Sequence, residues 1–417
     1  MIKIKKTIAS ISIICTFFFS SGFAQTSCVN CHQQLDDELK IPAELIETDI
    51  HSKFGYSCHT CHGGDPNPDY EDDMEAAMDP AKGYIGIPSR QKLLQICSDC
   101  HSNSEFMRQY NPGLPTDQYA QYLTSQHGKL LKNGDSKVAV CSDCHGIHHI
   151  QPANMTSSKV FPNNIAATCG SCHADQEYMA DYSIPTDQVE LYNASVHGIN
   201  LIEKGDRSSP TCNTCHGNHG AFPPGISSIS HVCGTCHITQ AEMFRQSPHF
   251  EAFREMDLPQ CETCHGNHEV QSTSMDMLGV GPNSLCIDCH DDDSRAYLSA
   301  KKMKNFQDSL FSDIEQAKIR LKKAENAGVE VSDGFYLIKD ANNVLIKSRN
   351  SVHYFLIDKF IAVIEPGFEI ANNALSTSES ALKEVQNRRL ALAVISVIIF
   401  IAAISLYFKS KLIEKKL

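Results

Sequence analysis

Polar and apolar residues follow three different patterns along this chain. Near the N-terminus, Lys3, Lys5 and Lys6 precede an apolar run from Ile8 to Phe19, and Gly22-Phe23-Ala24 places small residues where a signal peptidase reads. This predicts an export signal over 1–24, with an uncleaved anchor helix as the alternative. Between 25 and 290 no strand-like alternation is sustained, and Pro, Gly, Asn and Ser recur throughout. Short helices linked by much irregular chain are expected there.

After His290 the period becomes helical. Met303, Phe306, Leu310, Ile314, Ala317, Leu321 and Ala324 keep a 3–4 spacing, and so do Ile338, Ala341, Leu345, Ser348, Val352 and Phe355. Such spacing predicts two long amphipathic helices packed as a coiled-coil-like hairpin, a stalk over 291–389. Gly328 and Gly334 mark its turn, Pro366-Gly367 marks the next, and a third helix is expected from about Phe368. That helix runs into 390–408, a stretch without charge and long enough to span a bilayer. Tyr407 sits where an interfacial aromatic belongs, and Lys409, Lys411, Lys415 and Lys416 follow. With the body exported, the basic tail 409–417 faces the cytoplasm and the bulk of the chain faces the periplasm.

The cysteines carry the chemistry. There are 19 in 417 residues, and all but Cys15, in the N-terminal apolar run, pair as C-x-x-C. A chain of this length needs no disulfides to complete a core. A zinc site would not demand a histidine after every second cysteine, and a thioredoxin-type site would use a single pair. Here nine pairs occur. The first five are Cys28 and Cys31, Cys58 and Cys61, Cys97 and Cys100, Cys141 and Cys144, and Cys169 and Cys172. The other four are Cys212 and Cys215, Cys233 and Cys236, Cys261 and Cys264, and Cys286 and Cys289. Each is followed at once by a histidine: His32, His62, His101, His145, His173, His216, His237, His265 and His290. C-x-x-C-H is the attachment motif of haem c, in which the two thiols add across two vinyl groups and the histidine ligates the iron. Nine covalent haems are expected over 25–290, their rings supplying much of the packing.

A larger repeat surrounds the motifs. Ser125-Gln126-His127-Gly128 precedes Cys141 and His145-Gly146-Ile147-His148; Ser195-Val196-His197-Gly198 precedes Cys212 and His216-Gly217-Asn218-His219. Ser247-Pro248-His249 precedes Cys261 and His265-Gly266-Asn267-His268 in the same way. Each unit is a leading histidine, a first motif with a trailing histidine, and then a plain motif, over about 107–173, 178–237 and 242–290. A degenerate unit over about 51–101 keeps the leading His51 but reads His62-Gly63-Gly64-Asp65, without the trailing histidine. The Cys28 motif stands alone.

Of the 20 histidines, seven more occupy repeat positions: His51, His127, His148, His197, His219, His249 and His268. These are the expected distal iron ligands, and a trailing histidine points away from its own haem and suits a neighbour. His59, His149, His231 and His353 are candidates for the two remaining positions. No methionine position repeats, so mainly bis-histidine, low-potential haems are predicted. Such centres suit electron transfer, and no catalytic residue is assigned. The fold class expected is mainly α with much irregular chain: a haem-packed cytochrome c body, a C-terminal helical hairpin stalk and one transmembrane helix. A net charge of −13, made more negative by haem propionates, argues against nucleic acid as a partner.

Over about residues 28–290 the nine motifs and their flanking histidines resemble the multihaem cytochrome c families with doubled C-x-x-C-H motifs. These include the cytochrome c3-like group and the quinol-linked, NapC-NirT-like membrane cytochromes. The resemblance implies a carrier between the quinol pool, or a quinol-oxidising membrane partner, and periplasmic or outer-membrane redox proteins. Those quinol-linked cytochromes usually carry their membrane helix at the N-terminus, whereas here it is C-terminal. A second resemblance, to multihaem nitrite reductases and hydroxylamine oxidoreductases, implies an oxidoreductase of a small nitrogen or sulfur oxyanion with one open haem site. The Lys-for-His motif variant found in many such reductases is absent from this sequence.

Overall fold

The computed structural model describes residues 26–36, 39–224 and 229–414. The expected signal segment and the last three residues of the basic tail lie outside the described residues. The described chain is mainly α-helical with irregular connections and contains no strand. It divides into two compact units, one from the described part of 1–190 with 200–223, the other from 191–199 with the chain after 223. Six motifs therefore belong to the first unit, and three, with the long helices, to the second.

The first unit is built from short helices, the longest being the 12-residue Arg90–His101. A small apolar cluster of Leu94, Leu131, Val138 and Val140 is buried in it. Most of the remaining contacts are hydrogen bonds that pin one turn to another, such as Ile50 N to Ile150 O at 2.8 Å and Gln126 N to Ala221 O at 2.9 Å.

The second unit contains three long helices, Arg295–Glu325, Ser332–Ser351 and Ile357–Glu414. Ser294 caps the first by accepting from the backbone N–H of Tyr297. The apolar stripe expected from the sequence is buried, with Leu310, Ile314, Ala317, Leu321 and Ala341 fully inside. Phe360, Ile364, Ala371 and Ala374 of the third helix complete the same core. One polar layer crosses it: buried Gln307 donates to Ser348 Oγ at 3.3 Å, and Ser348 donates to Leu345 O at 2.8 Å. Each of these buried groups thus has a partner, which spares the cost of desolvating it unpaired.

The second turn of this bundle is not at Pro366-Gly367. Val352–Tyr354 forms a single 3-10 turn and Phe355, at φ 50°, reverses the chain, so the third helix begins at Ile357 and carries Pro366 within it. The proline sacrifices one helical hydrogen bond, whereas Gly367 answers a packing need. A Cβ there would lie 2.8 Å from Leu310 Cδ2 and 2.9 Å from Val344 Cγ1. The dipeptide therefore marks a close approach of helices instead of a turn.

The third helix is 58 residues long, and its far end includes a window apolar enough to cross a membrane, none of which is buried. Its 390–408 stretch, at about 1.5 Å per residue, is close to the thickness of a bilayer's hydrocarbon core. Arg388 Nη1 donates to Gly328 O at 2.9 Å, which closes the packed part of the bundle just before this stretch. Ending the chain at Arg389 is therefore expected to release a soluble protein with an unchanged haem content. Fractionation of cells into membrane and soluble parts checks this, and haem that stays with the membrane would contradict it.

Candidate functional site

The repeated residues have local structural reasons. Motif helices such as Cys58–His62, Cys141–His145 and Cys212–His216 begin on a backbone N–H held by the third motif residue. Ser57 N reaches Thr60 Oγ1 at 3.3 Å, Val140 N reaches Asp143 Oδ2 at 2.7 Å and Thr211 N reaches Thr214 Oγ1 at 3.0 Å. The glycine after the histidine ends the helix at a positive φ with an extended ψ, φ 70° at Gly63 and 88° at Gly146, a region open chiefly to glycine. This short, doubly capped turn holds two thiols and an imidazole on one small surface.

The S-x-H-G signature is a helix start. Ser125 Oγ accepts from Gly128 N at 2.9 Å and donates to Tyr122 O at 2.6 Å; Ser195 repeats both contacts with Gly198 and Tyr192. The glycine is required because a Cβ at position 128 would sit 2.0 Å from Tyr122 O. The histidine between serine and glycine is thereby held at the first turn. The residue before it is clamped to the chain two residues beyond a trailing histidine, as in Ile50 N to Ile150 O and Val196 N to Val270 O, both 2.8 Å.

Among the described residues, histidines face each other in pairs. Leading histidines pair with the plain motif of their own unit: His51 with His101, His127 with His173, His197 with His237 and His249 with His290. Trailing histidines pair with the first motif of the preceding unit: His148 with His62 and His219 with His145. His265 faces His353 at the end of the second long helix. Ring centres are 5.8 Å apart at the closest pair, His249–His290, and 6.3 Å at the widest, His197–His237. An imidazole nitrogen lies about 2 Å from a metal it ligates and about 1 Å from its own ring centre, so two imidazoles sharing one iron have centres roughly 6 Å apart. Both ring planes contain the axis through the iron, so their mutual rotation is free. Angles as different as 9° for His145–His219 and 88° for His51–His101 fit one arrangement. The residues present thus fit haem iron.

The chemistry of the rings agrees. A ligating imidazole must be neutral, with one nitrogen free and the other anchored. Nδ1 of His62 donates to Gly86 O and that of His353 to Asn350 O, both at 2.9 Å, leaving Nε2 free. His51 Nδ1 donates to Asp49 Oδ1 at 3.1 Å. Burial opposes ionisation of Asp49, but hydrogen bonds from the His51 ring and from the Ile150 and His51 backbone outweigh it and hold the carboxyl low. Burial also lowers the pKa of His101, His127, His145, His148, His173, His197, His219, His249, His265 and His353, which favours the neutral form.

Thiols of successive motifs lie side by side. The first cysteines are free thiols that hydrogen-bond in pairs, Cys28 with Cys58, Cys97 with Cys141, Cys169 with Cys212 and Cys233 with Cys261. The Cys58 hydrogen bond holds the Cys28 thiol down to about 6, and the Cys169 bond holds Cys212 at about 7. Second cysteines join the alternate steps. Cys61 is raised by burial, then by Asp49 and Cys100, and Cys264 is raised to about 11 by burial, then by Cys286 and Cys289. Cys144 is raised chiefly by burial, with Asp143, Cys141 and Cys172 of the next motif adding to it. Within each unit the attachment sites therefore follow one another in sequence order.

Cys61, Cys215, Cys236 and Cys289 each keep part of their surface exposed, and Cys144, Cys172 and Cys264 are half-buried. The Cys172 thiol is 4.0 Å from the hydroxyl of its neighbour Ser171, and Cys236 Sγ accepts from Thr235 Oγ1 at 3.8 Å. The second-cysteine steps run from Cys61 to Cys100, from Cys144 to Cys172 and from Cys264 to Cys289. Cys172, Cys215 and Cys236 stand in the motif turn three residues after the first thiol.

The other candidates are placed differently. His149 Nδ1 is 2.7 Å from Thr48 Oγ1, His59 has a buried Nδ1 without a hydrogen-bond partner among the described residues, and His231 is exposed. None of the three faces another histidine at this spacing among the described residues. His216 and His268 belong to different units. Sequence spacing alone did not single out His353, because a lone histidine on a helical stripe carries no repeat signal.

A family profile described as the doubled CXXCH motif matches residues 252–295. The chain is 23% identical over 219 residues to the multiheme cytochrome MtrA of Shewanella baltica (strain OS185). That match covers 51% of this chain and 52% of the relative, so the chain spans about half the length of the curated relative it matches. No solved structure matches. Both matches, together with the nine C-x-x-C-H motifs, agree with covalent attachment of haem c in a multihaem c-type cytochrome.

Proposed function

We propose that the chain is a nine-haem cytochrome, anchored in the cytoplasmic membrane by 390–408, whose body faces the periplasm. It passes electrons from the quinol pool, or from a quinol-oxidising membrane partner, to periplasmic or outer-membrane redox proteins. Bound haem supplies the one-electron iron couple. The chain's residues would do the rest: the cysteine pairs would hold each ring, and the motif and facing histidines together would ligate its iron. The facing pairs among the described residues carry this reading, since an iron with two protein imidazoles has no position left for a substrate and suits transfer alone. The alternating thiol contacts support transfer along the sequence order of the motifs within each unit.

The mass of the intact purified chain tests the count, and nine haem additions are expected. Haem reduction in membrane vesicles supplied with a reduced quinone analogue tests the direction. A smaller mass would reduce the number of sites, and haem that stays oxidised in such vesicles would remove the quinol pool as the source.

A further inference from the structure

We propose that the haem attached at Cys28 and Cys31 has an open axial position and takes a small exogenous ligand there. The proposal rests on reading the C-x-x-C-H sites as haem c sites. In each unit with a trailing histidine, that residue stands three positions beyond the motif histidine: His148 after His145, His219 after His216 and His268 after His265. In the first unit of the structure, His148 faces His62 and His219 faces His145, the first motif of the preceding unit each time. The same register applied to the Cys58 motif reaches three positions beyond His62, and the residue there is Asp65. The motif it should serve is the preceding one, with His32.

The backbone obeys the register although the side chain does not. Ser27, at the start of the Cys28 motif helix, donates its hydroxyl to Asp65 O at 3.1 Å and its N–H to Pro66 O at 3.3 Å. Asn30 and Gln34 of the same turn hold Glu71 at 3.0 and 2.9 Å, and the Cys28 thiol hydrogen-bonds that of Cys58. The Asp65 carboxylate is engaged with other groups: Oδ2 takes Lys82 Nζ at 2.8 Å and Oδ1 takes the N–H of Asn67 at 3.0 Å. A carboxylate is a hard oxygen donor, and even on the iron it would be weakly held compared with imidazole. Among the described residues no histidine ring faces His32, whose Nδ1 donates to Leu39 O at 2.9 Å and so leaves Nε2 free for iron. The competing ligands nearby are His149, whose Nδ1 is in contact with Thr48 Oγ1, and His59.

The ligand class is a small molecule with a carbon, nitrogen or oxygen lone pair. A diatomic gas suits ferrous iron, and a small anion suits ferric iron. Carbon monoxide is the probe, added to the dithionite-reduced, full-length protein in detergent, with electron paramagnetic resonance of the oxidised sample alongside. One carbon monoxide per chain and one high-spin haem are expected. Asp65→His restores the missing ligand and is expected to abolish both signals with the haem content unchanged, whereas Asp65→Asn keeps them. A wild-type protein with every haem low-spin and no carbon monoxide binding overturns the proposal and leaves the electron-transfer reading intact. Carbon monoxide binding that appears only in His149→Ala or His59→Ala also overturns it, by naming the ligand. Binding untouched by Asp65→His does so too, because the open iron is then elsewhere. A chain whose mass shows no haem on Cys28 and Cys31 would instead remove the premise.

Discussion

Replacing His353 by alanine is expected to turn one further haem per chain high-spin without detaching any haem. The covalent links at Cys261 and Cys264 do not involve the stalk, so the haem count is preserved. The axial position opposite His265 is another matter. His353 faces that ring with centres 6.1 Å apart and planes 25° from parallel, and it is aimed by its Nδ1 bond to Asn350 O. Losing even an outer-shell partner of a metal ligand typically costs roughly 10–100-fold in metal affinity or activity; here the ligand itself is lost. His353→Met should keep the iron low-spin and raise its potential, since a thioether favours the reduced iron. His231→Ala, an exposed control, should change neither property. Low-spin spectra identical in His353→Ala and wild type would show that His353 is not a ligand.

Phe360→Ala is expected to cost about 3–5 kcal/mol in the three-helix bundle, the range for emptying a fully buried aromatic site. Phe360 is 0% exposed and belongs to the core shared with Leu310 and Ile364. A whole domain is stable by only about 5–15 kcal/mol, so this loss is a large fraction of the total. The haem reports it, because His353 stands where the second long helix ends. On heating, the spectral change that marks departure of His353 should come at a distinctly lower temperature in Phe360→Ala. Ile319→Ala, at a position 66% exposed, should move it little. Equal shifts from the two variants would separate the bundle core from the haem site.

The motifs were legible because attachment chemistry fixes their spacing, and the leading and trailing histidines were legible because they recur at fixed offsets. The helical stripes from Met303 to Ala324 and from Ile338 to Leu345 announced the bundle, since burial imposes a 3–4 period. The partner of each histidine was not legible. It depends on backbone bonds between distant turns, such as Ile50 to Ile150, which leave no residue signature because a main-chain N–H is nearly universal. Nor did the identical motifs announce that Cys215 and Cys236 are exposed while Cys172 is half-buried, since exposure is set by what packs over the turn. Likewise Phe355 makes the turn with a positive φ that sequence seldom assigns to an aromatic residue, while Pro366-Gly367, the stronger turn signal, sits inside a helix. His353 was one of four candidates that spacing alone did not rank, and the turn beside it places it opposite His265.

The third long helix also acts as a spacer. It leaves the haem site beside His353 at Ile357 and reaches the apolar stretch at Leu390 without a break. At about 1.5 Å per residue that is roughly 50 Å of rod. Electron tunnelling between cofactors weakens steeply with distance and does not bridge such a gap in one step. A quinol confined to the bilayer therefore has no direct route along this helix to the Cys261–Cys264 haem. On the proposed anchoring, 390–408 would tether the protein to the membrane without wiring it there, and a donor reaching that haem would have to extend a redox centre of its own well above the lipid surface.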